Sequence, residues 1–376
     1  MSFFKSLIDF VKHEDYDGRI ERYEQLIYPC KKCKQEVDIS QMPPLVMKHC
    51  PKCNELFLVP MQLEDWWVCQ PLGGGGMGAV YLGRHRENAD LKAAVKVLQA
   101  NEQVNQTFLD LLIQEAQIAA QFGRHANLAQ VYTYGHDQES QEAYMIMELI
   151  EGIRFDKAIG TGASLDETIG NGVNYNQLGG SLINEELAMY YLLDILTGLE
   201  HMFQCGYLYR DLKPENLIIR ENHHVALVDY GLCMTINDAW YIKREDIMGS
   251  PLYMPPERIS CSGEDFRADL YALGMVIYHA IMGAPYFSQT ELMKIIERQW
   301  KGLRVQTKFK MERKNEKVIE IIDTLINIDR DKRYQSYHEI RYAVHEALMQ
   351  LHSKKSDCKV TMKRRQEYID ACLSQT

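Results

Sequence analysis

The residues best suited to chemistry lie in residues 207–216, which read Tyr-Leu-Tyr-Arg-Asp-Leu-Lys-Pro-Glu-Asn. Within six positions this stretch supplies a carboxylate (Asp211), an ammonium group (Lys213) and an amide (Asn216). The three apolar residues that follow predict a short buried strand. Eighteen residues after Asp211, a second apolar strand ends at Asp229. Polar groups held beside buried strands suit an active-site loop better than a surface loop.

Phosphoryl transfer needs groups of these kinds. A carboxylate accepts the proton of the attacking hydroxyl, a cation neutralises charge on the moving phosphoryl group, and two oxygen ligands hold magnesium. The pattern resembles the catalytic loop and metal-binding turn of protein kinases. The resemblance implies that Asp211 is the base and that Lys213, in the form typical of Ser/Thr kinases, neutralises the transferring group. It also implies that Asn216 and Asp229 bind Mg²⁺.

Gly73, Gly75 and Gly78 form a Gly-x-Gly-x-x-Gly pattern, which is weak evidence alone because flexible linkers also contain it. A dinucleotide-binding fold would need a helix directly after the glycines, whereas the next residues predict a strand. In the kinase resemblance the glycines close over phosphates, and Lys96 on the following strand holds the α- and β-phosphates. Glu115 lies on an amphipathic helix among apolar residues, where an unpaired carboxylate would be costly. We therefore expect it to pair with Lys96.

The strand predicted over residues 143–149 leads into a segment that resembles the hinge between the two kinase lobes. The resemblance places Met147 behind the adenine ring. It also implies that backbone groups of Glu148 and Ile150 form hydrogen bonds with the base. The other nucleotide contacts that the resemblance implies are Leu72, Val80, Ala94 and Ile218.

The resemblance to protein kinases gives several other residues packing or bracing roles. Tyr209 and Tyr230 stand where the family usually has histidine and phenylalanine. Both keep the aromatic bulk, and each hydroxyl must find a partner if it is buried, so we expect catalysis to survive. Asp269 corresponds to an acid that braces the catalytic-loop backbone. Arg333 corresponds to the arginine that pairs with Glu257.

Residues 229–257 resemble an activation segment, and residues 249–257 resemble its peptide-docking end. Arg210 precedes Asp211, and this predicts control by phosphorylation because a phosphate could pair with the guanidinium. Thr235 is a candidate acceptor. The docking stretch favours a peptide substrate over a small molecule.

Four cysteines near the N-terminus occur as two Cys-x2-Cys pairs, Cys30 with Cys33 and Cys50 with Cys53. This spacing predicts a zinc site, and four thiolates close a tetrahedral, structural centre. The segment resembles a zinc ribbon. Because it is too short to build a core that folds alone, we expect the metal to supply most of its folding energy, roughly 10–16 kcal/mol. Five lysines against two acids between the outermost cysteines give a local charge of +3. This charge is weak evidence for nucleic-acid binding, so we favour contact with a protein or with the rest of the chain.

Composition limits the remaining function classes. The net charge of −10 over 376 residues argues against nucleic-acid binding by the whole molecule. The longest apolar run, residues 270–282, is too short to span a membrane. Lys5 and Asp9 interrupt the apolar N-terminal stretch and make it a poor signal peptide. Four paired and six scattered cysteines predict a reducing cytoplasm rather than a disulfide framework.

Three flanking or inserted segments have less specific patterns. Residues 1–28 predict a helix, either on a membrane surface or docked on a neighbouring domain, and the mixed charges of its polar face favour docking. Residues 160–180 contain six glycines and predict a mobile lid or insertion. Residues 349–376 predict a solvated tail.

These patterns predict an α+β protein with a bilobal protein kinase fold, in which a small β-rich N-lobe precedes a larger helical C-lobe. A small four-cysteine zinc ribbon comes first. The predicted segments are an N-terminal helix (1–28), the ribbon (29–60), the kinase domain (66–348) and the C-terminal tail (349–376). The predicted function is signalling by ATP- and Mg²⁺-dependent phosphorylation of Ser or Thr in proteins. The alternative is a nucleotide-binding pseudokinase that acts as a scaffold through its ribbon.

Overall fold

The computed structural model describes residues 17–75, 78–98, 106–137, 142–160, 183–241, 243, 247–287, 297, 307–312, 314–353 and 358–374. Of the predicted N-terminal helix, the described part contains α1 (Asp17–Glu24). Nearly all of the glycine-rich insertion lies outside the described residues. The chain divides into two compact units, Met1–Gly123 with Ala129–Ile150, and Arg124–Leu128 with Glu151–Thr376.

Two short antiparallel hairpins carry the four cysteines of the first unit. Their strands are β1 (Ile27–Pro29) with β2 (Glu36–Asp38), and β3 (Met47–His49) with β4 (Leu56–Leu58). In each hairpin the residue after the second cysteine donates its N–H to the carbonyl of the first, Lys34 to Cys30 and Asn54 to Cys50, at 2.9 Å. Lys34 and Asn54 both have φ of 60°. The repeated spacing thus produces two knuckles of matching geometry.

A six-stranded antiparallel sheet forms the rest of the first unit. Its strands are β5 (Met61–Leu63), β6 (Trp66–Gly75), β7 (Gly78–His85), β8 (Lys92–Leu98), β9 (Val131–His136) and β10 (Ala143–Glu148). They lie in the order β5-β6-β7-β8-β10-β9. The alanine- and valine-rich β8 is buried along nearly its whole length, which suits a strand in the interior of a sheet. Helix α2 (Gln106–Gln121) packs against β8, β9 and β10.

The ribbon and the sheet share one apolar core. Tyr28 and Phe57 of the ribbon stack with ring centroids 4.1 Å apart. Trp67 and Leu82 of the sheet belong to the same buried cluster, and Leu72 packs against it. The ribbon therefore makes an intramolecular contact, one of the two kinds of contact that its weak charge favoured. The first strand after the ribbon, β5, already pairs with β6 of the sheet.

The second unit is largely helical. The helices among its described residues are α3 (Phe155–Gly160), α4 (Glu185–Gln204), α5 (Ile236–Trp240), α6 (Pro256–Ser260), α7 (Phe266–Met282), α8 (Thr307–Lys310), α9 (Glu316–Leu325), α10 (Tyr337–His352) and α11 (Lys359–Leu373). Helix α7 is buried along most of its length, which confirms the core helix predicted from its apolar run. Asp265 caps its N-terminus, and Gly283 ends it with φ of 70°, a left-handed conformation that glycine adopts without strain.

Short strands of the second unit place the residues of the predicted loop. They are β11 (Gly152–Arg154), β12 (Tyr207–Leu208), β13 (Leu217–Arg220), β14 (Val225–Leu227) and β15 (Met234–Thr235). The strands β11, β13 and β14 form one antiparallel sheet, and β12 pairs with β15. Asn216 ends a 3₁₀ turn immediately before β13, and Asp229 follows β14 by two residues. One hairpin thus carries both residues to the same end, because Leu217 pairs with Leu227.

The prediction of a solvated C-terminal tail is wrong for the described residues, because they form the last turn of α10 and the whole of α11. Arg364 makes two hydrogen bonds of 2.8 and 2.9 Å with the carboxylate of Asp194 on α4. Asp194 also accepts the N–H of Val225 in β14 at 2.9 Å. The mixed charges of this segment indicated exposure, but its arginines find buried carboxylates far away in sequence.

No helix within the described ranges combines the length and the apolar character needed to cross a bilayer.

Candidate active site

In the first unit, Lys96 and Glu115 form the predicted ion pair. The ammonium of Lys96 lies 2.9 and 2.7 Å from the two carboxylate oxygens of Glu115. Both residues are buried, and a buried charge is tolerated when its partner is close and well oriented. The pair fixes the direction of Lys96 on β8.

The other sequence-predicted residues of this unit lie on neighbouring strands. Gly73 pairs with Val80 and Gly75 pairs with Gly78, so the three glycines lie on the paired ends of β6 and β7. Gly78 has φ of 130°, and a Cβ there would lie 3.1 Å from the carbonyl oxygen of Val97. A side chain at this position would therefore meet both strain and crowding. Leu72 is half-buried on β6.

At the end of β10, the hinge residues have backbone contacts of their own. Met147 pairs with Ala94 of β8. The N–H of Glu148 donates to the carbonyl of Gln130 at 2.7 Å. The N–H of Glu148, at one of the two predicted adenine-binding positions, therefore already has a partner within the first unit.

In the second unit, the carboxylate of Asp269 binds the backbone of the catalytic loop. Its two carboxylate oxygens accept the N–H groups of Tyr209 and Arg210, both at 2.8 Å. Arg210 has φ of 69°, a left-handed conformation that is uncommon for residues other than glycine. Burial raises the pKa of Asp269 to about 6, while the two N–H groups act in the opposite direction.

Asp211 lies at the centre of the polar groups of this loop. Its Oδ2 accepts from Lys213 Nζ at 2.5 Å and from Asn216 Nδ2 at 2.9 Å. Its Oδ1 is buried, and no donor within the described part of the chain reaches it. Burial raises the pKa of Asp211 above its ordinary value, although Lys213 opposes this shift. One oxygen is therefore fixed and the other is available to accept a proton.

Asn216 and Asp229 offer oxygen ligands of the kind that would hold a magnesium ion. The amide nitrogen of Asn216 donates to Asp211, so its oxygen is directed elsewhere and can act as a ligand. Asp229 has φ of 68° and an exposed carboxylate. The N–H of Val228 donates to the carbonyl of Asn216 at 3.0 Å, which joins the two positions. A carboxylate and an amide oxygen are ligands that Mg²⁺ accepts.

The two tyrosines that depart from the family pattern are buried and find acceptors. Tyr209 donates to the carbonyl of Val228 at 2.6 Å, and Tyr230 donates to that of Leu227 at 3.4 Å. Their rings meet edge to face with centroids 6.4 Å apart. Tyr209 thus ties the catalytic loop to the residue before Asp229, and neither hydroxyl replaces a metal or phosphate contact.

The bracing pair of the activation segment is present. Arg333 donates to both oxygens of Glu257, at 2.6 and 2.8 Å. The prediction that Arg210 and Thr235 form a phosphate switch is not supported. Arg210 is already paired with the buried Glu264 at 3.0 Å, and Thr235 caps α5 by accepting the N–H of Asp238.

Sequence reasoning missed Glu264 and its second partner, Arg258. Both are buried, yet they lie in or beside the polar stretch Ser-Cys-Ser-Gly-Glu-Asp, which has the composition of a surface loop. No periodic pattern marks such residues. Their burial depends on arginine partners that come from other segments.

The four predicted zinc ligands of the first unit converge. The sulfur atoms of Cys30, Cys33, Cys50 and Cys53 all lie within 4.8 Å of one another. The Cys30–Cys53 and Cys33–Cys50 sulfur distances are 3.5 and 3.7 Å. A tetrahedral site with Zn–S bonds of about 2.3 Å requires sulfurs about 3.8 Å apart. The donor set and its spacing fit one zinc ion with no open position.

Comparison with known proteins agrees with this geometry. A family model for the protein kinase domain matches residues 66–348. An Aurora kinase of Eremothecium gossypii is 29% identical over 230 residues, which cover 61% of this chain and 56% of that protein. A cAMP-dependent protein kinase, catalytic subunit-like, of Caenorhabditis briggsae is 27% identical over 263 residues, or 70% of this chain and 60% of that protein. Rho-associated protein kinase 1 of Homo sapiens is 24% identical over 242 residues, covering 63% of this chain and 16% of that protein.

The chain thus spans less than two thirds of the length of these relatives. The family match begins at Trp66, the first residue of β6.

Proposed function

Because the chain belongs to the protein kinase family, we propose that it transfers the γ-phosphoryl group of ATP to serine or threonine hydroxyls of proteins. Asp211 carries this proposal. One of its oxygens is held by Lys213 and Asn216, and the other is buried without a donor among the described residues. A carboxylate so arranged is a fixed base with one free acceptor.

Each residue has a defined part in the proposed reaction. Asp211 Oδ1 accepts the proton of the attacking hydroxyl, and its raised pKa makes it a better base. Lys213 neutralises charge on the transferring group. Asn216 and Asp229 would hold magnesium, which supplies positive charge to the phosphate oxygens when it is bound.

The residues of the first unit bind the nucleotide in this proposal. Lys96, oriented by Glu115, pairs with the α- and β-phosphates. The β6–β7 turn with its glycines covers the phosphates. The hinge backbone at Glu148 and Ile150 binds the adenine.

The preference for serine and threonine rests on Lys213 and on the relatives. Lys213 follows the catalytic aspartate by two residues, as is typical of Ser/Thr kinases. An Aurora kinase and a cAMP-dependent protein kinase-like protein are among the similar proteins. Residues 249–257 would dock the peptide.

A structural zinc in the ribbon completes the proposal. The sulfur distances and the two matching knuckles support it. A protein partner for the exposed side of the ribbon is a further part of this proposal, and nucleic acid is disfavoured by the charge. A reducing cytoplasmic location is proposed because the ten cysteines, all within the described residues, are thiols rather than disulfides.

The test is phosphoryl transfer from radiolabelled ATP to a generic basic protein with Mg²⁺. The wild type should label serine and threonine. Lys96→Met and Asp229→Asn should each lose on the order of 100-fold or more in rate, because each removes a group bound to the phosphates or to the metal. Lys92→Met, on the same strand β8 as Lys96, is the matched control and should keep the activity.

Two results would refute the proposal. Phosphotyrosine as the dominant product would exclude Ser/Thr specificity. A wild type that binds nucleotide but labels no acceptor better than Lys96→Met does would favour the pseudokinase alternative, which the retained Lys96, Asp211 and Asp229 argue against.

A further inference from the structure

Two arginines and one glutamate are buried beneath the catalytic loop of the second unit. Arg210, Arg258 and Glu264 have side-chain exposed fractions of 4%, 2% and 0%. Arg210 donates to Glu264 Oε1 from Nε at 3.2 Å and from Nη2 at 3.0 Å. Arg258 donates to Glu264 Oε2 from Nε at 2.9 Å and from Nη2 at 2.6 Å. We call these three residues the arginine–glutamate cluster.

The cluster is joined directly to the backbone beside Asp211. Arg258 Nη1 donates to the carbonyl of Arg210 at 2.5 Å, and Asp269 accepts the N–H of Arg210. Both backbone groups of Arg210 are therefore held, as is its side chain. A residue with φ of 69° keeps that conformation when its surroundings fix it. The next residue is Asp211, so the conformation of Arg210 sets the position of the base.

The charges of the cluster are balanced within the protein. Two guanidinium groups face the carboxylates of Glu264 and Asp269. A buried charge that loses its partner is strongly unfavourable. Each oxygen of Glu264 serves one arginine, so its removal would leave two cations close together in a buried site.

A phosphate on the activation segment would have to bind the same arginine. Glu264 already occupies Nε and Nη2 of Arg210, and Nη1 points at the sulfur of Met234 at 3.4 Å. The hydroxyl of Thr235 is used in the cap of α5, where it also donates to Asp238 at 2.6 Å. Glu264 therefore already supplies the negative charge that pairs with Arg210.

We propose that Glu264 is a positioning residue for phosphoryl transfer, which bridges Arg210 and Arg258 and holds Asp211 in place without a phosphate on the activation segment. This inference rests on the proposed kinase activity. Glu264 touches neither substrate nor metal and acts through the backbone of Arg210. The protein is then active as synthesised, and phosphorylation of residues 229–257 is not needed to assemble its catalytic loop.

The first test removes the charge but keeps the shape. Glu264→Gln should lower kcat on the order of 10- to 100-fold through displacement of the base, with the KM for ATP nearly unchanged. Glu264→Asp keeps the charge and should recover part of the loss. Glu186→Gln is the matched control, because Glu186 is also buried and paired with an arginine, Arg365, at 2.5 Å, but lies on the first turn of α4. It should keep kcat within about twofold.

The second test needs no variant. Wild-type protein is treated with a phosphatase until its mass equals that of the unmodified chain. Its single-turnover rate should stay within about twofold of the untreated rate. A phosphatase-treated protein that loses its activity and regains it on rephosphorylation would overturn the proposal. So would Glu264→Gln with wild-type kcat, or an equal loss in Glu186→Gln.

Hydrogen exchange separates this proposal from the kinase assignment. The backbone amides of Tyr209 and Arg210 donate to Asp269, and their exchange reports whether the loop is held. Glu264→Gln should accelerate it, whereas Glu186→Gln should not. If the wild type transferred no phosphoryl group, the kinase assignment would be wrong, but the positioning role could still be judged. Unchanged exchange in Glu264→Gln would then refute that role, and faster exchange would support it.

Discussion

The cysteine ribbon of the first unit and the arginine–glutamate cluster of the second unit both fix short irregular segments, and they do so with different chemistry. The ribbon gathers four thiols whose sulfurs lie within 4.8 Å of one another, and in our proposal a zinc ion from outside the chain completes it. The cluster gathers groups of opposite charge that the chain already contains. If the proposal is right, the ribbon depends on a supply of metal, whereas the cluster depends on none.

The two regions also differ in how far apart their parts lie in sequence. Each knuckle of the ribbon closes within five residues, Cys30 to Lys34 and Cys50 to Asn54. In the cluster, Arg210 lies 54 residues from Glu264 and 48 from Arg258. Local spacing marks the first kind of site in the sequence, and tertiary structure alone assembles the second.

The largest expected effect comes from removing the ribbon's metal. We predict that the intact chain binds one equivalent of zinc and that Cys30→Ser with Cys33→Ser abolishes this binding. The lost metal energy, roughly 10–16 kcal/mol, exceeds what the small ribbon core can replace. Because Leu72 packs on the shared core, binding of an ATP analogue should weaken as well. Metal analysis, thermal melting and nucleotide titration measure these effects.

Two cysteines outside the ribbon provide the control for this prediction. Cys205→Ser with Cys372→Ser should retain zinc, melting and nucleotide binding. A ribbon variant without zinc that melts like the wild type would show that the metal does not hold this region. In that case the contrast between the two regions would disappear.

A second long-range ion pair can be broken to sharpen the comparison. Arg364→Met leaves Asp194 buried without its guanidinium and should cost roughly 3–5 kcal/mol in the free energy of unfolding. Burial opposes the charged form, but hydrogen bonds from His224 and Arg364 outweigh it and hold the pKa of Asp194 below the ordinary 3.8. The stabilisation is therefore present above about pH 4 and is lost as the pH falls through the lowered pKa.

Denaturant unfolding at pH 7 and pH 3 measures this difference. Arg341→Met is the control, since Arg341 and its partner Glu200 are 35% and 30% exposed. A partly exposed pair of this kind contributes about 1 kcal/mol or less. Equal losses in the two variants would mean that burial adds nothing to the Arg364 pair.

A smaller effect is expected at Glu142 in the first unit, a buried glutamate that contrasts with Glu264. No donor in the described part of the chain reaches its Oε2, and burial, followed by the charge of Asp137, raises the pKa of Glu142 to about 7. The folded protein therefore loses stability as the pH rises from about 4.5 to 7. Glu142→Gln should stabilise it by about 1–2 kcal/mol at pH 8 and leave it unchanged near pH 4.5.

Melting curves at the two pH values test this prediction. Glu264→Gln, in which the lost carboxylate was paired, should show the opposite sign at pH 8. Destabilisation by both substitutions would indicate that Glu142 also has a partner that the fold requires.

Much of the fold and of the site could be predicted because its signals are local. The catalytic loop carries Asp211, Lys213 and Asn216 within six residues, and the apolar run of α7 predicts a core helix. The structure of the C-terminal segment could not be predicted, since Arg364 meets Asp194 across 170 residues. A charged segment looks solvated until its partners are known.

The most direct test of the whole account is the single-turnover rate of phosphoryl transfer by phosphate-free wild-type protein, compared with Asp211→Asn. The substitution keeps the shape of the side chain and removes the carboxylate that is fixed by Lys213 and Asn216. We predict that the phosphate-free wild type labels serine and threonine, and that Asp211→Asn is slower by a factor on the order of 100 or more. Equal rates for the two proteins would contradict the account.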